Sequence, residues 1–136
     1  MKTPGQALGA WGEAQAAAYL QAKGYIILDR NARTPYGEID LVTRQIFTAT
    51  DELNNREAEG LSMLVFVEVK TRRTKTFGYP EQSINQRKRE HILASAQSYL
   101  QEHPEIVEDW RVDVIAIQRL RSNRPPEIVH FENVFT

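Results

Sequence analysis

The chain of 136 residues contains no cysteine, which excludes disulfides, thiolate zinc sites and cysteine nucleophiles. Histidine is nearly as scarce: His91, His103 and His130 are the only three, and none has a partner at a zinc-like spacing. Any metal must then rest on carboxylates, whose hard oxygens suit magnesium or manganese. Long hydrophobic runs are missing too. Met1 to Tyr19 lacks the unbroken apolar core of a signal peptide, and no stretch is long enough to cross a bilayer, so the expectation is a cytoplasmic protein with no membrane partner. Strong net charge is also absent. The formal value of −1 runs against nucleic-acid binding, because phosphate contacts need Lys and Arg.

The distribution of charge says more than its sum. Between Thr48 and Leu61, Asp51, Glu52, Glu57 and Glu59 stand against a single Arg56, leaving −3 in that segment and +2 elsewhere. The remaining cations cluster as Arg72, Arg73 and Lys75, then Arg87, Lys88 and Arg89, then Arg119, Arg121 and Arg124. Each cluster is either a local basic patch or an ordinary solvated face. With 41% hydrophobic residues in a chain of single-domain length, folding should bury roughly two-thirds of the unfolded surface, so one domain over 1–136 is expected.

From about Gly5 to Lys23 the residues are mostly good helix formers, ending at Gly24, a natural C-terminal cap. Tyr25 to Arg33 and Glu38 to Phe47 read as strands around the turn-like Pro35-Tyr36-Gly37, pairing as a hairpin. The stretch 48–61 is polar, acidic and without periodicity, and reads as a long flexible loop. Met63 to Thr71 is apolar and β-branched, the composition of a central strand. After Gly78-Tyr79-Pro80, a short helical turn at Pro80 and Glu81 precedes a longer helix from Asn85 to Glu102, whose apolar stripe is Ile92, Ala96, Tyr99 and Leu100. Trp110 to Gln118 makes a fourth strand and Glu127 to Phe135 a fifth. The order αβββαβ(β), with no internal repeat, predicts an α/β fold with a central mixed sheet flanked by helices.

Two strands carry charge where apolar residues belong. In Val65-Phe66-Val67-Glu68-Val69-Lys70, Glu68 and Lys70 share one face, roughly 6.5 to 7 Å apart, close enough to converge on one small ligand. A salt bridge at a strand end explains that pair equally well. The preceding strand adds Glu38 and Asp40 in Gly37-Glu38-Ile39-Asp40-Leu41, and neighbouring strands lie about 4.8 Å apart, so Asp40 is placed to sit beside Glu68. Two carboxylates that close repel unless a cation lies between them. Glu38 stands nearer the turn, where solvation is the simpler reading. Glu13 projects from a helix face of Gly9, Ala10, Ala16, Ala17 and Leu20, whose small residues suit close approach to the sheet; a helix edge exposed to water explains it equally well. The opposite face, with Leu8, Trp11 and Ala18, serves the core or another chain. Lys88 begins the inward stripe of the second long helix, where its amine is placed to reach a phosphate or to snorkel to solvent. Asp113 is another strand carboxylate, better explained by pairing with Arg111 or another basic group than by catalysis.

Taken with their flanks, these residues resemble the PD-(D/E)XK pattern of the restriction-endonuclease-like fold, and more closely the small bacterial YraN family. The resemblance runs through Gly12-Glu13, Arg30-Asn31 with Arg33, Gly37-Glu38-Ile39-Asp40-Leu41, Val65-Phe66-Val67-Glu68-Val69-Lys70-Thr71-Arg72, Phe77-Gly78 with Pro80, Lys88, and Arg111-Val112-Asp113-Val114-Ile115. Ile39 stands where the motif's name has proline, a position of little chemical weight. The resemblance implies that Asp40 and Glu68 bind magnesium (Mg2+, or Mn2+) with the Val69 carbonyl, that Lys70 orients or activates the attacking water, and that Glu13 assists the metal as in Holliday-junction resolvases. It implies an endonuclease hydrolysing DNA phosphodiester bonds, selective for branched or junction DNA, with Arg72, Arg73 and Lys88 on the nucleic acid. A homodimer follows in the same way, since a four-way junction has two strands to cut. The alternative is a nucleic-acid-binding or scaffold module that keeps this fold without turnover, which the modest charge and the acidic 48–61 segment favour.

Overall fold

Thr3 starts the first helix, α1 (Pro4–Ala22), through a reciprocal cap in the computed structural model: its hydroxyl accepts from the Gln6 N–H at 3.1 Å, and the Gln6 amide oxygen accepts from the Thr3 N–H at 2.9 Å. Pro4 fits the first turn because its missing N–H would have no helical partner there. At the other end the chain turns at Gly24, whose φ of +90° few side-chain-bearing residues adopt, and the Tyr25 N–H closes on the Leu20 carbonyl at 3.0 Å. The structure describes residues 1–51, 56–73, 85–119, 121 and 123–135, with the backbone alone for 48–51 and 56–60. The helical turn expected at Pro80 and Glu81 lies outside them.

Five strands follow in one sheet: β1 (Ile26–Thr34), β2 (Gly37–Asp51), β3 (Arg56–Arg72), β4 (Trp110–Gln118) and β5 (Glu127–Phe131). They lie in the order β1-β2-β3-β4-β5, with antiparallel pairs except for β3 and β4, which run parallel. Parallel neighbours require a crossover, and the second helix, α2 (Gln86–Glu102), lies within it. The result is the expected mixed α/β sheet with helices on it. Among the described residues, no helix is long and apolar enough to cross a membrane.

Side-chain alternation divides the core into two layers. Val65 and Val67 pack with Leu41, Ile115 and Ile117 under Ala16, Ala17 and Leu20 of α1. Leu64 and Phe66 pack with Val42 and Val112 under Ala96 and Tyr99 of α2. Trp11 and Tyr19 of α1 pack against the first layer, so Trp11 serves the core, whereas Ala18 of the same face is exposed. The close seat of α1 depends on Gly12: a Cβ there would lie 1.9 Å from Thr71 Oγ1 and 2.9 Å from Thr71 Cβ.

Two expectations need correction. The segment 48–61 is not a loop throughout, because β2 and β3 continue as a two-stranded ribbon with Ala49 opposite Ala58, Thr50 opposite Glu57 and Asp51 opposite Arg56. Backbone pairing in a ribbon needs no buried face, so the missing hydrophobic periodicity concealed it; a register shift between Phe47 and Ala49 further breaks the alternation. Only 52–55 falls outside description there. The fifth strand ends at Phe131 rather than Phe135, because Asn133 takes a φ of 53° and turns its N–H onto the Asp113 carboxylate at 2.9 Å. Val134 and Phe135 then pack on the α2-side layer.

Asp113 ties the β4–β5 end of the α1 layer together. Its wholly buried carboxylate accepts from Arg111 Nε at 2.9 Å, Arg111 Nη2 at 3.2 Å and His130 Nε2 at 2.7 Å, and Arg111 Nη2 also donates to the Tyr25 hydroxyl at 3.1 Å. Burial alone would raise the Asp113 pKa, but the bonds from His130, Arg111 and the Asn133 N–H outweigh it and hold the carboxyl below its ordinary value.

Two stability predictions follow from these contacts. Gly12→Ala is expected to cost about 1–3 kcal/mol in urea unfolding, partly restored by adding Thr71→Ala, which removes the hydroxyl and methyl that crowd the new group. A depressed carboxylate pKa contributes stability above the unfolded value that is lost as pH falls through the folded one. The wild-type unfolding midpoint should therefore drop through the acid range, while Asp113→Asn should start about 3–5 kcal/mol lower and show a shallower acid decline. Parallel pH profiles for the two proteins would remove this role from Asp113.

Candidate metal centre

The antiparallel ladder between β2 and β3 stops at the pair Leu41 and Val67. One step further the register would set Asp40 against Glu68, two carboxylates in a position where like charges destabilise a sheet. Instead the Asp40 side chain fills the gap: its Oδ2 accepts from the Val69 N–H at 2.8 Å. A side chain thus takes over one ladder hydrogen bond, and the two strands part. Into that opening the N-terminal half of α1 brings Glu13, beside the Gly12–Thr71 contact. The resulting cleft of about 300 Å³ is lined by Gly5, Leu8, Gly9, Glu13, Asp40, Glu68, Val69, Lys70, Thr71 and Arg72.

Glu68 is held from two sides. Its Oε1 lies 3.7 Å from Lys70 Nζ and 3.3 Å from Lys88 Nζ. Lys88 reaches it from the first turn of α2, where the Asn85 side-chain oxygen caps the helix by accepting from the Lys88 N–H at 2.8 Å. The crowding shows in the ionisation of the site. Burial first, then repulsion from Glu68, push the Asp40 carboxyl up to about 7 despite the Val69 N–H. Burial also raises Glu13; the hydrogen bond from Asn31 opposes this, while Glu38 and Glu68 add to it. Burial, with the Lys88 amine beside it, lowers Lys70 to about 8 against the pull of Glu68. Lys88 moves the other way: burial would lower it, but the Lys70 amine and Glu68 outweigh that and hold it above its ordinary value.

Glu13, Asp40, Glu68, Val69, Lys70 and Arg72 therefore line one cleft, with Lys88 on its Glu68 side. Arg73 is exposed and is not among the lining residues. Phe77, Gly78 and Pro80 lie outside the described residues. Among those described, no three His, Cys, Asp or Glu side chains are arranged as a ready metal cage. The donors are spoken for by the protein's own groups, Asp40 by the Val69 N–H and Glu68 by two lysines.

A second hollow of about 520 Å³ adjoins the cleft across Gly9 and Glu13, and is lined also by Lys2, Gln6, Ala10, Asn31, Arg33 and Glu38. Within it Asn31 has a φ of 51°, and its amide nitrogen, turned toward the two acceptors, donates to Glu13 Oε2 and to Glu38 Oε1 at 3.0 Å each. Glu38 thus joins the centre indirectly, through Asn31.

Comparison with known proteins came out consistently. The sequence profile described as uncharacterised protein family UPF0102 matches residues 12–117, a span that holds Glu13, Asp40, Glu68, Val69, Lys70, Thr71 and Arg72 of the cleft. A UPF0102 protein of Syntrophotalea carbinolica is 42% identical over 128 residues, covering 94% of this chain and 90% of the relative. Another, from Syntrophomonas wolfei, is 40% identical over 128 residues, covering 94% and 96%. A third, from Alkaliphilus oremlandii, is 39% identical over 130 residues, covering 94% and 97%.

Asn31 stands among the residues that carry the family resemblance, but sequence reasoning gave it no role in the site. Its signal was an asparagine inside a strand, a residue type that tolerates positive φ better than other side-chain-bearing residues. Asn31→Ala loses both the amide and the backbone tolerance, whereas Asn31→Gly loses the amide alone. Urea unfolding should accordingly find the glycine variant more stable than the alanine variant by about 1 kcal/mol. Equal stabilities would mean that the positive φ imposes no strain.

Proposed function

This chain belongs to the uncharacterised protein family UPF0102, the YraN family, and we propose that it is a divalent-metal-dependent endonuclease acting on DNA, selective for branched structures such as four-way junctions. The observation that carries this reading is the gathering of Glu13, Asp40, Glu68 and Lys70 in one cleft, with the Asp40 carboxyl pushed up to about 7 by burial and its neighbours. A site in which carboxylates repel one another is a site that gains from a cation. The donor set fits one: Asp40, Glu68, Glu13 and the Val69 carbonyl offer only hard oxygens, which magnesium and manganese prefer.

Once bound, such an ion supplies Lewis-acid polarisation of the phosphodiester. The chain's own residues do the rest. Lys70, with its pKa lowered to about 8, holds a proton that it can exchange near neutral pH, so its amine is suited to orient the attacking water and to offset charge on the phosphorane oxygens. Lys88 keeps Glu68 in place and stands at the mouth of α2, where a phosphate would meet its amine. Arg72 adds a fixed positive charge to the cleft wall. We place this activity in the cytoplasm, and in a homodimer if both strands of a junction are cut. A second reading, a binding module without turnover, draws on the engagement of Glu68 by both lysines and on the absence of a ready cage among the described residues.

The deciding experiment incubates wild type, Asp40→Ala and Lys70→Ala with linear, flapped and four-way DNA in magnesium or manganese at matched salt. Metal-dependent cleavage by wild type is expected, with each variant slower by about 100-fold or more. Failure of wild type on every substrate, or equal cutting by Asp40→Ala, would sink the hydrolase reading and leave the binding module.

A further inference from the structure

Positive charge around the cleft is one-sided. Toward β1, Lys2 and Arg33 are matched by Glu13 and Glu38 in the same hollow. Toward β4 the cations outnumber the anions. Arg72 closes the cleft at the end of β3, paired in register with Gln118 on the parallel strand β4, and the next residue, Arg119, donates its N–H to the Arg72 carbonyl at 2.9 Å. The guanidinium of Arg119 lies over the Trp11 ring of α1, 5.1 Å from its centroid. Beyond it, Arg121 and Arg124 line a third hollow of about 250 Å³ with Gln118, Pro125 and Glu127. Glu127 is the carboxylate of that hollow and has interactions of its own.

We infer that Arg72, Arg119, Arg121 and Arg124 form a track for the phosphodiester backbone of a nucleic acid, leading from the cleft across the C-terminal ends of β3 and β4. This rests on the endonuclease reading, and extends it by saying which way the substrate leaves the centre. Three features favour a track over a solvated face. It is continuous with the cleft, since Arg72 belongs to both. Its second member is preorganised, because stacking on Trp11 limits the freedom Arg119 would otherwise lose on binding a phosphate. Its arginines follow the end of the sheet, from the last residue of β3 to the β4–β5 connection, rather than one helix, so successive phosphates of one strand can be met in turn. Guanidinium groups suit this task because their planar fork matches two phosphate oxygens.

The test is the salt dependence of binding, read by fluorescence anisotropy in EDTA with duplex DNA and with duplex RNA of equal length. Each phosphate neutralised on B-DNA contributes about 0.9 to the slope of log K against log salt, so Arg119→Ala/Arg121→Ala/Arg124→Ala should lower the DNA slope by about 2 to 3. Affinity at low salt should fall tenfold or more. Arg121→Ala/Arg124→Ala keeps the stack on Trp11 intact and should still lose about 1 to 2, which guards against a triple variant that folds poorly. A slope lost on DNA or on RNA supports the track and identifies its ligand; slopes unchanged on both overturn it. Because chelator removes turnover from the measurement, a protein that binds along the track and never cuts overturns the hydrolase reading alone. One that cuts with unchanged slopes overturns the track alone.

Discussion

The structure turns on one substitution of partners: at the end of the β2–β3 ladder, the carboxylate of Asp40 replaces a backbone carbonyl as acceptor for the Val69 N–H. A regular ladder there would oppose Asp40 and Glu68 directly. With the side chain in that role, the Val69 N–H stays satisfied while the strands separate. The separation gives the cleft its floor. It also lets groups from both faces of the sheet meet: Glu13 comes from α1, on the Val65 and Val67 side, and Lys88 from α2, on the Leu64 and Phe66 side.

Reaching that opening from α1 requires a close helix, and the closeness is set by one residue without a side chain. Gly12 meets Thr71 where any Cβ would overlap it, so Glu13, next along the helix, is delivered to the rim. Ala16, Ala17 and Leu20 continue the same contact into the core layer. On the same face as α1 but toward the β5 edge, Asp113 anchors β4 to β5 and to Tyr25 through groups that all bond to it or to Arg111. The site is thus mounted between two rigid fixtures, a steric one at α1 and an electrostatic one at β5.

Much of this was legible in the sequence because it follows from period-two alternation. Glu68 and Lys70 interrupt an apolar strand two residues apart, and Asp40 breaks the strand before it; charge in such positions announces itself. The small residues around Glu13 were legible as a face suited to close approach, but it was the family resemblance that assigned Glu13 to the site. Asp113 beside Arg111 was legible as a pair, though His130, seventeen positions along the chain, carried no local sign that it would complete it. What escaped depends on backbone detail or on distance. The ribbon through Asp51 and Arg56 is joined by backbone pairing, and its sequence carries no hydrophobic period to announce it. The positive φ of Asn31 is a property of its place in the strand, and its bonds to Glu13 and Glu38 join an α1 residue to a hairpin that the helix precedes. The grip of Lys88 on Glu68 needed the crossover that brings α2 back over β3.

That grip has a further physical meaning. Arg87, Lys88 and Arg89 occupy the first turn of α2, which carries no acidic residue. Cations at a helix N-terminus oppose the macrodipole and cost on the order of 0.3–1 kcal/mol each. A carboxylate facing that turn offsets the cost for Lys88, and Glu68 is that carboxylate. Glu68 is consequently shared between Lys70, Lys88 and any cation entering the cleft, and a cation that takes Glu68 leaves the lysines to seek another anion. On the proposed function, that anion would be a substrate phosphate arriving at the same mouth. Under the proposed function, metal and substrate phosphate would be coupled through one carboxylate: each would be easier to accommodate with the other present, since one claims Glu68 and the other the two lysines that Glu68 releases.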